Sequence, residues 1–141
     1  MRTHTFRGKL DASEQRRLIL DDGRFQHGMK IRELYLFPVE DGGTQLTTVT
    51  LATQYDSSAG MDAEDNRQIG WGVVGYSTSG GTQVQALTVV DPDRVIVRDL
   101  YVRNNNVNDP VNFLIIMEDI TMTDEQAILQ LIKERSQDDL R

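Results

Sequence analysis

Hydrophobic and polar positions alternate along most of this chain, most clearly between Gln83 and Thr123. Three runs there are rich in Val, Ile, Leu, Tyr and Phe: Gln83–Val90, Val95–Arg103 and Val111–Thr123. Such residues suit a pleated, half-buried surface, so each run predicts a strand. Asp91-Pro92-Asp93-Arg94 separates the first two. Pro92 presets the φ of a tight turn, and the flanking Asp side chains can bond back to the turn backbone. The polar stretch from Asn104 to Pro110 separates the second and third. Connections this short predict an antiparallel meander, because parallel crossovers need a dozen or more residues.

The same rhythm runs through the earlier part of the chain. Thr3–Leu10 predicts a first strand with Phe6 and Leu10 inward, followed by a loop or short helical turn over Asp11–Glu14. Arg17–Asp21 holds Leu18-Ile19-Leu20 and stops at the turn signal Asp21-Asp22-Gly23. In Gly28–Val39, Met29 and Ile31 occupy one phase of the alternation, Leu34 and Leu36 the other. A strand of period two cannot bury both sets on one face, so a bulge near Arg32-Glu33, or cover on both faces, is expected. Pro38 suits the end of such a strand. Beyond Asp41-Gly42-Gly43, the β-branched run in Gln45–Thr53 reads as a strand. Arg67–Ser77 is another, with Ile69, Trp71 and Val73 on one face and Trp71 read as core. Gly70, Gly72 and Gly75 between them point to close backbone approach or a bulge.

The rhythm breaks at Thr123. Thr123-Asp124-Glu125-Gln126 fits a capping box, and acids in the first turn suit the positive end of a helix dipole. Ala127, Ile128, Leu131 and Ile132 then recur at helical spacing. About eight strands with turn signals at short intervals predict an all-β fold. The expected architecture is an antiparallel β-sandwich, jelly-roll-like in its strand count, plus one C-terminal α-helix. With 141 residues, a single domain is expected: residues 1–123 form the sandwich with an N-terminal arm, residues 124–141 the helix and tail.

Composition narrows the chemistry. The chain has no Cys, so disulfides and thiolate metal sites are excluded. Its net charge of −7 disfavours direct contact with nucleic acid backbone, where Lys and Arg must neutralise phosphates. No apolar run approaches the length of a membrane helix, and the N-terminus lacks the apolar stretch of a signal peptide, so an intracellular product with no membrane partner is expected. Basic residues gather at Arg2, Arg7, Lys9, Arg16 and Arg17. They read either as solvated strand faces or as an arm that meets an acidic neighbour.

Candidate sites are few. His4 and His27 stand alone, and no zinc-enzyme motif contains them, so both are read as structural or exposed. Gly75-Tyr76-Ser77-Thr78-Ser79 lacks the closing glycine of a nucleophile elbow. Gly80-Gly81-Thr82 lacks the lysine of a phosphate loop, and both read as a hairpin turn. The acid-rich loop offers Asp56, Asp62, Glu64 and Asp65 as oxygen ligands for a cation, but in an order unlike an EF-hand, and a solvated loop is the simpler reading. Trp71 with Tyr76 could form a sugar-stacking platform, though core packing explains Trp71 more simply. No catalytic constellation and no cofactor are expected.

Taken together, a Cys-free acidic sandwich with Gly- and Asn-rich loops, a charged N-terminal arm and a capped C-terminal helix resembles small structural proteins of virus particles, those of bacteriophages above all, and the ending Ile120–Gln137 shares in that resemblance. The resemblance covers most of the chain as a general pattern and rests on no diagnostic motif. It implies a non-enzymatic capsid, decoration or connector subunit located in the virion and assembled in the host cytoplasm. Its partners would be further copies of itself and other virion proteins. The residues expected at such a self-contact are Phe6, Arg7, Ile128, Leu131 and Ile132. A carbohydrate- or ligand-binding sandwich module is the alternative.

Overall fold

The structure, a computed structural model, describes residues 2–20, 27–39, 44–55, 60–77 and 83–139. In chain order the elements are β1 (Thr3–Leu10), β2 (Gln15–Ile19), β3 (His27–Pro38), β4 (Thr44–Ala52), β5 (Gln68–Ser77), β6 (Gln83–Val90), β7 (Asp99–Asn104), β8 (Val111–Thr121) and α1 (Asp124–Asp139). The strands make two antiparallel sheets, one in the order β1-β8-β3 and one in the order β2-β7-β4-β5-β6. This is the expected all-β sandwich with one terminal helix. The turns expected at Asp21-Asp22-Gly23, Asp41-Gly42-Gly43 and Ser79-Gly80-Gly81 lie outside the described residues.

The core fills the space between the sheets. Leu10, Leu34, Phe113, Ile115 and Met117 enter from the smaller sheet, and Val49, Leu51, Val74, Leu100 and Val102 enter from the larger. Phe6 packs against them from β1, in the same phase as Leu10. Burial of this kind is the main force holding the sandwich, at roughly 25 cal/mol per Å² of apolar surface.

The conflict of phases in β3 is resolved by a bulge. Ile31 opposes Met117 and Glu33 opposes Ile116, so Arg32 is the extra residue. Its insertion reverses the alternation, and Ile31, Leu34 and Leu36 all turn inward. Arg32 itself swings out and meets Glu118 at 2.8 Å.

Two expectations about the strands are corrected. First, Gln83 to Thr123 does not form a meander. β6 pairs with β5 at a sheet edge, β7 lies between β2 and β4, and β8 is the centre of the other sheet. The strand expected from Val95 begins only at Asp99. Val95–Val97 instead joins the opposite sheet: Met29 N–H donates to Ile96 O at 2.8 Å, and Ile96 N–H donates to Met29 O at 2.7 Å. Ile96 drops into the main core while Val95 and Val97 face a second cluster. The linker from Asp91 to Arg98 reaches about 3.3 Å per residue, ample to cross sheets about 10 Å apart, so a short connection need not turn straight back.

Second, Trp71 and Val73 do not face the core. The inward phase of β5 is Gly70, Gly72 and Val74, opposite Leu51, Val49 and Thr47 of β4. The two glycines are required there. A Cβ on Gly72 would lie 2.4 Å from Leu36 Cδ1, and one on Gly70 would lie 2.8 Å from Leu51 Cδ1. Large side chains from neighbouring strands therefore occupy the space that β5 leaves empty. Ile69 still reaches the core, because the register shifts between Leu51 and Ala52.

The helix begins as expected. Thr123 N–H donates to Gln126 Oε1 at 3.1 Å, and Gln126 N–H donates to Thr123 Oγ1 at 3.3 Å. Ala127 and Leu131 then pack with Val95, Val97, Ile120 and Met122 as a second cluster. Gly28 lies beneath it, since a Cβ there would meet Val95 Cγ1 at 2.5 Å and Met122 Cε at 3.2 Å. Gly28 pairs with Ile120, so the cluster covers the outer face of the smaller sheet at one end.

Candidate functional site

The terminal helix divides its apolar residues between two directions. Ala127 is buried and Leu131 half-buried against the second cluster. Ile128, Leu129 and Ile132 are exposed at 49%, 51% and 54%. Those three follow Glu125 at spacings of three, four and seven residues, which places one acid and three apolar side chains on a common stripe. Ile128 and Ile132 therefore stand on the surface, as a contact between copies would need. Leu131 does not. Its spacing of four from Ala127 aims it at the chain's own sandwich. Phe6 is likewise drawn into the main core, whereas Arg7 next to it is exposed.

On the outer face of the smaller sheet, antiparallel register lines up Thr5, Ile116 and Glu33, then Arg7, Leu114 and Tyr35, then Lys9, Asn112 and Phe37. Tyr35 and Phe37 are each 49% exposed, and Leu114 and Ile116 are half-buried between the strands. Arg7 and Lys9 border this apolar patch along β1. On the β3 side, Tyr35 Oη donates to Glu33 Oε2 at 2.6 Å. That hydrogen bond and the carboxylate's charge raise the Tyr35 pKa above the usual phenol value.

The outer face of the larger sheet carries Trp71 beside Val89, and Val73 beside Leu87. Leu87 and Val89 are exposed and Trp71 is half-buried. Trp71 Nε1–H donates to Gln68 Oε1 at 2.8 Å. The same oxygen accepts the Asp62 N–H at 2.8 Å, and Gln68 Nε2 donates to Gly60 O at 3.1 Å. Gln68 thus ties the acidic loop to the tryptophan. The Tyr76 side chain, the other half of the possible sugar platform, lies outside the described residues.

Among the described residues, the acidic loop does not present its carboxylates to a common point. Asp65 is buried against Arg67, receiving Nε–H and an Nη2 hydrogen at 3.2 Å each and the backbone N–H at 3.0 Å. Asp62 Oδ1 accepts the Glu64 N–H at 3.0 Å. Asp56 lies outside the described residues, and no group of three potential metal ligands converges among those described. His4 Nε2 is 2.9 Å from Asp119 Oδ2, joining β1 to β8, while His27 opens β3 opposite Thr121.

One organising group carried no signal of its own in the sequence. Asn104 is fully buried, and its Nδ2 donates to Asp11 O at 3.1 Å and to Asp109 O at 2.9 Å. Its Oδ1 accepts the Asn106 N–H at 2.9 Å. Asn106 Nδ2 continues to Leu46 O at 3.2 Å. Ser13, with a φ of 60°, donates its N–H to Asn106 O at 2.8 Å. These bonds gather the β1–β2, β4 and β7–β8 ends into one polar knot. The sequence marks the stretch only as an Asn-rich loop.

β3 and β6 lie side by side without pairing. A groove of about 350 Å³ there is lined by Lys30, Ile31, Arg32, Glu33, Val90, Pro92, Glu118 and Ile120. Its one buried acid, Glu118, is taken by Arg32. No helix among the described residues is long and apolar enough to cross a membrane. No protein-family model, no curated protein and no solved structure matches the chain.

Proposed function

We propose that this protein is a non-enzymatic structural subunit of a virus particle, in the manner of a bacteriophage capsid, decoration or connector protein, and that it associates with copies of itself through its terminal segments. The observation that carries this reading is the divided helix. One side is anchored by Ala127 and Leu131 to the chain's own sandwich, and the other holds Ile128, Leu129 and Ile132 out to solvent. Exposed apolar patches rimmed by polar groups mark interaction sites, and closed homo-oligomers are the commonest way to bury them. The strand order supports a jelly roll as the finer fold. β1 pairs with β8, β2 with β7 and β4 with β5, as in a long hairpin rolled up on itself. The departure is β6, which pairs with β5 rather than β3.

Sedimentation of the purified protein tests the proposal. A defined assembly well above the 16.0 kDa subunit is expected, and Ile128→Asp combined with Ile132→Asp should reduce it to folded subunits. A wild-type chain that stays at subunit mass at every concentration refutes the reading. A carbohydrate-binding module is the second reading, favoured by the half-exposed Trp71 on an outer sheet face. Retention of the protein on immobilised glycans, lost in Trp71→Ala, would support it instead.

A further inference from the structure

We propose that the bare half of the smaller sheet's outer face receives the C-terminal helix of a second copy of this chain, with Glu125 set against Arg7 and Lys9. The inference rests on the self-association proposed above and names its receiving surface. Two halves of one face make the case. Near Gly28 and Ile120 the face is covered by Val95, Val97, Met122 and the chain's own helix. Toward the other end, Leu114, Ile116, Tyr35 and Phe37 have no such cover among the described residues. The chain's own helix starts at the far end of β8. Leu114 and Thr121 are seven residues apart on that strand, roughly 24 Å at about 3.4 Å per residue. Moreover, the stripe of Ile128, Leu129 and Ile132 lies on the side of the helix away from its anchoring residues, open to another molecule.

Charge selects the pairing. The first twenty residues hold Arg2, Arg7, Lys9, Arg16 and Arg17 against Asp11 and Glu14, a net of +3. The helix holds Asp124, Glu125, Glu134, Asp138 and Asp139 against Lys133 and Arg135, a net of −3. Copies with a net charge of −7 repel one another unless unlike surfaces meet. Arg16 and Arg17 are already engaged by Glu14 and Asp99. Arg7 and Lys9 have no ion pair among the described residues, and they border the apolar patch. The uncharged patch around Leu87 and Val89 offers no such match. A helix stripe on a sheet face joins unlike surfaces, so it closes as a reciprocal exchange or a ring, or runs on as a filament.

The test is sedimentation at low salt with circular dichroism to confirm folding. Arg7→Glu with Lys9→Glu should weaken assembly by about tenfold or more, as should Glu125→Lys, and the three changes together should restore most of it. Leu87→Asp, on the opposite sheet, should leave assembly unchanged. Assembly that needs Ile128 and Ile132 yet ignores the Arg7 and Lys9 changes overturns this surface while leaving the self-association reading intact. So does loss of assembly in Leu87→Asp, or failure of the combined variant to recover. A wild-type monomer overturns both.

Discussion

The main core and the cluster under the helix are built from the same kinds of residue but closed in different ways. Between the sheets, Leu10, Leu34, Leu100, Phe113 and Ile115 meet partners on every side, and the chain supplies all of them. Under the helix, Val95, Val97, Met122 and Ala127 are buried, while Ile120 and Leu131 are only partly so. The next turn of apolar residues faces solvent. The sandwich is therefore self-sufficient, and the helix is attached by one narrow seam and a cap. A helix of 16 residues has marginal stability by itself in water, so that seam decides whether it stays in place.

Truncation inside the main core should have the largest effect. Phe113→Ala removes the largest fully buried side chain and should lower global stability by about 3–5 kcal/mol, read from denaturant unfolding. A smaller loss is expected at the seam. Leu131→Ala, at a half-buried site, should cost about 1–2 kcal/mol and raise hydrogen exchange in the helix while the amides of β8 stay protected. Equal loss of protection in helix and strands would break the comparison, because the two clusters would then unfold as one unit. The smallest effect belongs to the bare half of the outer face. Tyr35 holds its proton above the usual phenol pH because Glu33 accepts its hydrogen bond. Any stabilisation from this bond is present below the ordinary phenol pKa and fades as pH rises through the raised one. The change is read by titration: Glu33→Gln should move the NMR-detected midpoint of Tyr35 down toward about 10. A midpoint that does not fall would show that Glu33 is not its partner.

What could be read from the residues alone follows the range of the interactions involved. The bulge at Arg32 and the cap at Thr123 are local: opposing phases within one strand, and two side chains three residues apart, declare themselves. The Asp91 turn is local too, and Asp93 N–H donates to Asp91 Oδ1 at 3.0 Å. The position of Trp71 was not legible, because the inward residues beside it are Gly70 and Gly72. Their emptiness is filled by Leu36 and Leu51 from other strands, and alternation records only what a strand carries itself. Val95–Val97 alternates like any strand, yet its two phases serve two different clusters. The same holds for the helix. Periodicity groups Ala127, Ile128, Leu131 and Ile132 as one stripe, but only the fold separates Ala127 and Leu131, held by their own sandwich, from the two that are left outside.

Arg32 also sets how the strand tolerates change. Its side chain lies outside the ladder, and substituting it takes the partner from the buried carboxylate of Glu118. Deleting it would take out the bulge and leave the pairing on both sides intact. Ile31 opposite Met117 and Glu33 opposite Ile116 would become consecutive pairs, and Met29, Ile31, Leu34 and Leu36 would fall into one unbroken inward phase. Gly28 would stay beneath Val95. The bulge is thus a spare residue whose loss the ladder can absorb, whereas removing one residue from either flank while the bulge stays would carry part of the strand to the opposite face.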